Sequence, residues 1–288
     1  MACGIVIVDK PSGWTSQDVV SKLRGVFHER RVGHGGTLDP MATGVLPVFV
    51  GRATRAAEFL ESAEKTYEAV LRLGVVTDTQ DTEGQVLSQT DAAVTEEQVR
   101  HALTQFIGEI EQIPPMYSAV KIGGKKLYEL ARKGQTVERQ PRKITVFSLE
   151  LLDRTENDCR LKIHCSKGTY VRTLCHDIGA VLGCGGTMAA LRRTQAGSFG
   201  LEQAVSLETL VQADDPAQYL LPIDSLFAGY PEATLTGEYL RLCRNGNVLP
   251  WKQGGRFWRI YAPNGEFLML GRHENGRLYT EKSFFEVT

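Results

Sequence analysis

Strand and helix periodicities follow one another along this 288-residue chain without the regular βαβ alternation that a doubly wound parallel sheet requires. Gly4 to Val8 is a continuous apolar run and reads as a buried strand, as does Val45 to Val50. Tyr67, Ala69, Leu71 and Leu73 alternate along one face of a half-buried strand. Ile144 to Leu152 and Arg160 to Cys165 are two more, joined by a turn at Asn157-Asp158, and residues 188–199 read as extended. Helices fall between these strands. Thr15 with Asp18 forms a capping arrangement ahead of Val19, Val20, Leu23 and Phe27. Ala53 to Ala63 reads as a helix, and Thr95 with Gln98 opens another that turns Val99, Ala102, Leu103 and Phe106 inward. Tyr117 to Ile122 reads as extended, Gly123-Gly124 as a turn, and Lys126 to Lys133 as a helix stopped by Gly134. A helix over about 171–182 follows Gly168. The expected fold is α+β, with a mixed, largely antiparallel central sheet flanked by helices. From about Pro231 the texture changes to short strands separated by Asn264-Gly265 and Asn275-Gly276, both hairpin-turn dipeptides. A small β-rich domain over 232–288 is therefore expected after a larger one over 1–231.

Composition narrows the class. With 42% hydrophobic and 23% charged residues the chain is neither disordered nor membrane-spanning. Ile5 to Val8 is closed by Asp9 and Lys10, so it is neither a signal peptide nor an anchor, and a cytoplasmic protein is expected. The six cysteines form no C-x-x-C pair and none has a histidine at zinc-finger spacing, which fits reduced thiols. The formal net charge is −1, yet basic residues crowd Lys121 to Lys143, where Lys121, Lys125, Lys126, Arg132, Lys133, Arg139, Arg142 and Lys143 face only Glu129 and Glu138. Such a local basic face fits a polyanion bound at one site, or a solvated helix face. Acidic residues collect elsewhere, as in Asp78 to Glu83.

GHGGTLDPMATG, Gly33 to Gly44, is the stretch that carries chemistry. It is not a P-loop, because Gly44-Val45-Leu46 stands where Gly-Lys-Ser/Thr is needed. Its glycines do not space as G-x-G-x-x-G, and it lacks the serine of a nucleophile elbow. His34 alone is a weak metal ligand and Asp39 has no second carboxylate nearby in sequence, so no metal is expected. An acid in an anion cradle would repel its ligand. Asp39 is then either a turn residue ahead of Pro40 or a reagent.

GHGGTLDPMATGVLP resembles the catalytic signature of the TruB family of tRNA pseudouridine synthases. DKPSGWTS at Asp9 to Ser16, KTYEA at Lys65 to Ala69, PPMYSAVKIGGKKLYELARKG at Pro114 to Gly134, KGTYVRTL at Lys167 to Leu174 and the LRR run from Leu191 resemble family blocks in the family's order. Where the family usually has threonine this chain has Gly35, which removes a hydroxyl and predicts a looser loop. The resemblance implies a cofactor-free isomerisation of uridine 55 in the tRNA T-loop, with the base detached at N1, rotated and reattached through C5. It implies that Asp39 is the nucleophile, that Arg172 pairs with it, and that Tyr67 stacks on the target base and takes part in loss of the C5 proton. A carboxylate suits the role because it can hold an electron-poor sugar and still leave later. A nearby guanidinium would offset the desolvation that otherwise neutralises an aspartate.

The resemblance further implies that Tyr170 and Leu191 line the uracil pocket, and that His34 fills the gap left by a flipped base. Lys10 stands as a phosphate contact, and Lys121 and Arg132 belong to a basic insertion over about 115–143 that clamps on RNA. The region 232–288 corresponds to a PUA-like module. The implied partner is the tRNA T-arm, with no membrane, no obligatory protein partner and a monomeric enzyme. Two other readings share the fold: an RNA-guided relative acting on ribosomal RNA, and an RNA chaperone that folds tRNA without chemistry.

Overall fold

In the computed structural model, which describes residues 2–285, strands and helices follow the order the sequence suggests. Strand β1 (Gly4–Lys10) leads through the DKPSGW loop into helix α1 (Ser16–Val26), whose start is a complete capping box between Thr15 and Asp18. β2 (Val32–His34) and β3 (Thr43–Val50) bracket the glycine-rich loop. The stretch expected as one helix from Ala53 is a 3-10 turn, Gly51–Ala56, running into a short α2 (Ala57–Glu61). β4 (Lys65–Leu73) follows, then a hairpin of β5 (Val75–Thr77) and β6 (Val86–Gln89). Helix α3 (Glu96–Thr104), capped by Thr95 and Gln98, leads to β7 (Gly108–Gln112).

The basic segment holds a small hairpin, β8 (Lys121–Ile122) with β9 (Lys125–Lys126), and helix α4 (Leu127–Ala131). Only the last two residues of the expected extended run from Tyr117 are strand. β10 (Arg142–Thr155) and β11 (Asp158–Cys165) form a long hairpin that turns one residue earlier than expected, with Glu156 taking a positive φ of 47°. Helix α5 (Val171–Val181), β12 (Gly186–Ala196), β13 (Phe199–Gly200), β14 (Val205–Ser206) and α6 (Leu207–Gln212) complete the larger region.

The main sheet runs β14-β1-β3-β12-β4-β11-β10-β7, with β2 added to β3 and β13 to β12. Most neighbours are antiparallel. The parallel pair inside the sheet is β3 with β12, where Thr43 faces Arg192 and Gly44 faces Arg193. β3, which follows the Asp39 loop, and β4, which carries Tyr67, therefore flank β12, and the cleft opens at this junction.

Two apolar layers sandwich the sheet. Val6 and Val8 of β1, with Leu46, Val48 and Val50 of β3, face a core shared with α1, α5 and α6. Ile5, Ile7, Val45 and Phe49 point the other way into a second cluster. Burial on both faces is why these strands are continuous apolar runs rather than alternating ones.

The C-terminal region forms a separate five-stranded sheet ordered β15-β17-β18-β19-β16, made by β15 (Glu232–Thr234), β16 (Leu249–Pro250), β17 (Phe257–Tyr261), β18 (Phe267–Glu274) and β19 (Arg277–Ser283), with α7 (Gly237–Arg244) beside it. Asn275-Gly276 makes the β18–β19 turn with φ of 52° and 72°. Residues 286–288 of the expected domain lie outside the described residues. This sheet has its own core around Trp251, Trp258 and Leu278, but its other face joins the main sheet. Phe227, Leu270 and Phe284 share one cluster with Ile5, Ile7 and Phe49. Phe59 meets Phe227 edge-on at 5.2 Å, and Phe267 stacks on Phe284 at the same spacing.

No helix among the described residues is long and apolar enough to cross a membrane. Because Phe227 stands in the layer shared by the two sheets, Phe227→Ala should cost about 3–5 kcal/mol. Urea unfolding followed by both tryptophan fluorescence, which reports Trp251 and Trp258 as well as Trp14, and far-UV dichroism should give one coincident transition, shifted in the variant. Two separated transitions would show that the sheets unfold independently.

Candidate active site

The loop between β2 and β3 is pinned from below. Leu38 is buried, its amide donates to Ser16 Oγ at 2.8 Å, and Ser16 Oγ donates back to the Leu38 carbonyl at 3.2 Å. Asp39 thereby stands over the N-terminus of α1, beside α5. Gly36 has a φ of +122°, a region closed to side chains, and lies against the Arg193 guanidinium. Gly44 approaches β12 so closely that a Cβ there would sit 2.2 Å from the Arg193 carbonyl oxygen. Gly35 is not loose. Its amide donates to Pro47 O at 2.9 Å, and a Cβ would meet Leu60 and Phe49 within 3 Å. The expectation of a slack loop is corrected: here Leu60 and Phe49 fill the space a larger residue would need.

Arg172, from the first turn of α5, is 5% exposed. Its Nε lies 2.9 Å from Asp39 Oδ2, and NH2 donates to Asp39 Oδ1 at 3.1 Å. This is a two-pronged grip on one carboxylate. NH2 also donates to Tyr117 O at 2.8 Å and NH1 to Thr79 O at 3.1 Å, with Asp81 Oδ2 at 3.6 Å from NH1. Asp81 is itself buried and accepts from Thr79 Oγ1 and the Glu83 amide. The Asp39 side chain keeps a third of its surface open to the cleft, but protein crowds its other sides. Burial pushes its pKa above the ordinary value; Arg172 pulls it down, and Asp81 pushes it up again. The guanidinium thus offsets desolvation only in part.

Asp39, Arg172, Tyr67, His34, Tyr170, Leu191 and Arg132 all line one cleft of about 670 Å³. Tyr67 and Leu191 are nearly closed off from solvent. Tyr170 caps α5, and Gln112 from β7 clamps its backbone, accepting from the Tyr170 amide at 2.8 Å and donating to its carbonyl at 3.1 Å. Burial, and then Arg193, push the His34 pKa down, so its ring is neutral at neutral pH. Arg132 lies over the Tyr128 ring at 5.4 Å. Lys121 does not reach the cleft; it is exposed on the β8–β9 hairpin. Of the other basic residues in that segment, Lys143 is paired with Glu109 and Arg139 donates to Pro114 O.

Lys10 is not where a phosphate could reach it. It is wholly buried, and its ammonium donates to the carbonyls of Pro11, Trp14 and Pro40 at 2.9, 2.6 and 3.0 Å. It ties the DKPSGW loop to the Asp39 loop, and burial lowers its pKa to about 8. The phosphate-contact expectation is corrected accordingly. Asp81, Gln112 and Arg193 are site residues that sequence reasoning passed over. Asp81 lay in a noted acidic run, and Arg193 is two residues beyond Leu191, on the same face of its strand.

Lys10→Met should lower the melting temperature by several degrees, since three carbonyls lose their donor. The dependence of RNA binding on salt should not change. A fall of about one in the slope of log K against log salt would instead mark Lys10 as a phosphate contact.

Comparison with known proteins shows the family of the chain. The profile of the TruB family pseudouridylate synthase N-terminal domain matches residues 24–171, and that of the tRNA pseudouridylate synthase B C-terminal domain matches residues 172–228. The chain is 42% identical over 287 residues to the tRNA pseudouridine synthase B of Clostridium kluyveri, covering 98% of this chain and 99% of that protein. It is 44% identical to that of Dechloromonas aromatica, covering 99% and 96%. Among solved structures, a Cbf5-Nop10-Gar1 complex contains a chain similar with a TM-score of 0.75 at 27% identity, covering 99% of this chain and 85% of that one. An H/ACA RNP bound to a substrate RNA containing 2'-deoxyuridine gives 0.74 at 25% identity, covering 99% and 86%. With both profiles running end to end over residues 24–228, the chain belongs to the TruB family of pseudouridylate synthases.

Proposed function

We propose that this protein converts uridine 55 in the T-loop of tRNA to pseudouridine, with Asp39 as the nucleophile and the target base flipped into the cleft. The observation that carries the reading is the two-pronged Arg172–Asp39 pair, set in a cleft whose other walls are the flat ring of Tyr67 and the apolar side of Leu191. The carboxylate faces the ribose when uracil lies on Tyr67. It holds C1′ while the N1 bond breaks and releases it when C5 attaches. Isomerisation needs neither an electron source nor an outside atom, so these side chains suffice.

The base leaves its stack at a cost of about a few kcal/mol. His34, neutral and lining the cleft, offers a plane to fill the vacated space. The exposed basic residues of 121–142, with Arg132 nearest the cleft, then contact phosphates as the insertion of 115–143 closes over the T-arm. The C-terminal sheet over 232–288 serves as a PUA-like module that holds tRNA away from the cleft. The protein works as a cytoplasmic monomer without an obligatory partner.

The tRNA reading is favoured over an RNA-guided one by similarity. Relatives named tRNA pseudouridine synthase B are 42–46% identical, whereas the H/ACA structures are at 25–27%. It is favoured over a chaperone by the intact ion pair, for which RNA folding has no use.

Tritium release from T-arm RNA labelled at uridine C5 tests the reading without guide or partner. Wild type should release tritium; Asp39→Asn should release none while binding the RNA. Release by the variant at the normal rate would remove Asp39 as nucleophile. The reaction needs ionised Asp39, so kcat/KM should fall as pH drops through a pKa above the ordinary aspartate value of 3.8. Arg172→Lys removes the fork that pulls this pKa down, so the acid limb should move to still higher pH and turnover should fall more than binding. An unmoved limb would mean that Arg172 does not govern the Asp39 charge.

A further inference from the structure

Arg193 has no task in the scheme above, yet it is among the most deeply buried large side chains in the chain, at 1% exposure. It lines the active cleft and is the direct cross-strand partner of Tyr67, Arg193 on β12 facing Tyr67 on β4. Its Nε donates to Val45 O at 2.7 Å and its NH2 to Gly36 O at 3.2 Å, with Thr37 O at 3.5 Å from NH1. These acceptors are all neutral carbonyls. Among the described residues no carboxylate forms an ion pair with it. A buried guanidinium is ordinarily paired, because an uncompensated charge out of water costs several kcal/mol. Arg172, by contrast, sits between two carboxylates, Asp39 and Asp81. The cleft is thus polarised. Its Arg172 side carries one net negative charge, and its Arg193 side carries a positive charge that arginine cannot shed. Neighbours register that charge: burial first, and Arg193 after it, lower the pKa values of Lys10, His34 and Lys65, and Arg193 works against burial at the Tyr67 hydroxyl. Lys65 is a weaker cation there, its ammonium turned onto the carbonyls of Leu60, Glu61 and Ala63.

We propose that Arg193 is the electrostatic counterpart of Asp39, a fixed cation on the Tyr67 wall that stabilises the negative charge on uracil while the base is detached from ribose. The proposal rests on the tRNA pseudouridylation reading. When the N1–C1′ bond breaks, the bond pair stays on uracil, spread over N1, O2 and O4, and C1′ is left electron-poor. The negative side of the cleft meets C1′, and the positive side meets the base. When C5 closes on C1′ it supplies the pair for the new bond. The C5 proton leaves to water and N1 takes one up, so atoms and charge balance. Pre-set charge of this kind costs no reorganisation during reaction. By holding the Gly36 and Thr37 carbonyls, Arg193 also keeps the Asp39 loop in register with Tyr67.

The test compares single-turnover consumption of uridine and of 5-fluorouridine in otherwise identical T-arm RNAs by wild type, Arg193→Gln and Arg193→Lys. Fluorine makes uracil more acidic and a better leaving group, so it has less need of an external cation. Arg193→Gln should slow the uridine RNA by about a hundredfold or more. It should slow the 5-fluorouridine RNA at least tenfold less, with RNA binding unchanged. Arg193→Lys keeps charge and should lie between wild type and the glutamine variant on uridine. Arg172→Lys serves as the control and should slow both RNAs alike. Equal slowing of both RNAs by the Arg193 variants would assign Arg193 a purely architectural role and overturn the proposal. If Arg193→Gln fails to fold, Arg193→Lys carries the same comparison, its defect again smaller on 5-fluorouridine. A wild type that consumes neither RNA would overturn the tRNA reading itself, which separates the two failures.

Discussion

One buried guanidinium, that of Arg172, joins four stretches that are remote in sequence. It holds Asp39 from the glycine loop, Thr79 and Asp81 from the β5–β6 hairpin, and Tyr117 from the basic segment, all from the first turn of α5. Arginine can do this because its donors are planar, forked and permanently charged; lysine presents a single point. Lose the fork and the Asp39 carboxyl is left to burial and to its repulsion by Asp81, both of which favour the neutral acid. The usefulness of Asp39 is therefore a property of the assembled fold rather than of its loop.

Two lysines show the same economy with carbonyls. Lys10 and Lys65 each bury an ammonium against three backbone oxygens, the first where two loops meet and the second at the end of α2. Both have pKa values lowered to about 8 by burial. Loop and helix ends leave carbonyls that no helix or sheet can satisfy, and an ammonium with three donors meets them at one point. Neither is free to bind phosphate. Lys121, Lys125, Arg132, Lys133 and Arg142 of the basic segment, by contrast, keep their side chains exposed.

The sheet was legible because burial leaves a period. β4 alternates, β1 and β3 each hold a continuous apolar run, and the capping boxes at Thr15 and Thr95 mark where helices begin. Elements too short to show a period were less so: the expected helix from Ala53 divides into a 3-10 turn and α2, and the run from Tyr117 is mostly bends. In the site, Asp39, Arg172, Tyr67, Tyr170 and Leu191 were reached through motif resemblance, not through spacing. Lys10 misled because a lysine at the end of a strand, next to a loop, looks solvated whatever it touches. Gln112 carries no local signal and Asp81 only its place in an acidic run; their roles exist only once the β5–β6 hairpin and β7 are brought against α5. Arg193 did carry one, a charged residue at an inward position of a buried strand, which is a place sequence alone marks as anomalous.

That anomaly explains the glycine loop better than anion binding does. Gly36 gives its carbonyl to Arg193 from a backbone conformation side chains avoid, and Gly44 lets β3 close against the Arg193 backbone. Phosphate loops use glycine to point amide donors at an anion. This loop turns carbonyl oxygens, at Gly36 and Thr37, toward a cation. With the carbonyls committed to Arg193, the remaining side of the loop is free to present Asp39 to Arg172. An acid in the middle of a glycine-rich stretch is then no contradiction, because the loop is built around positive charge on both flanks.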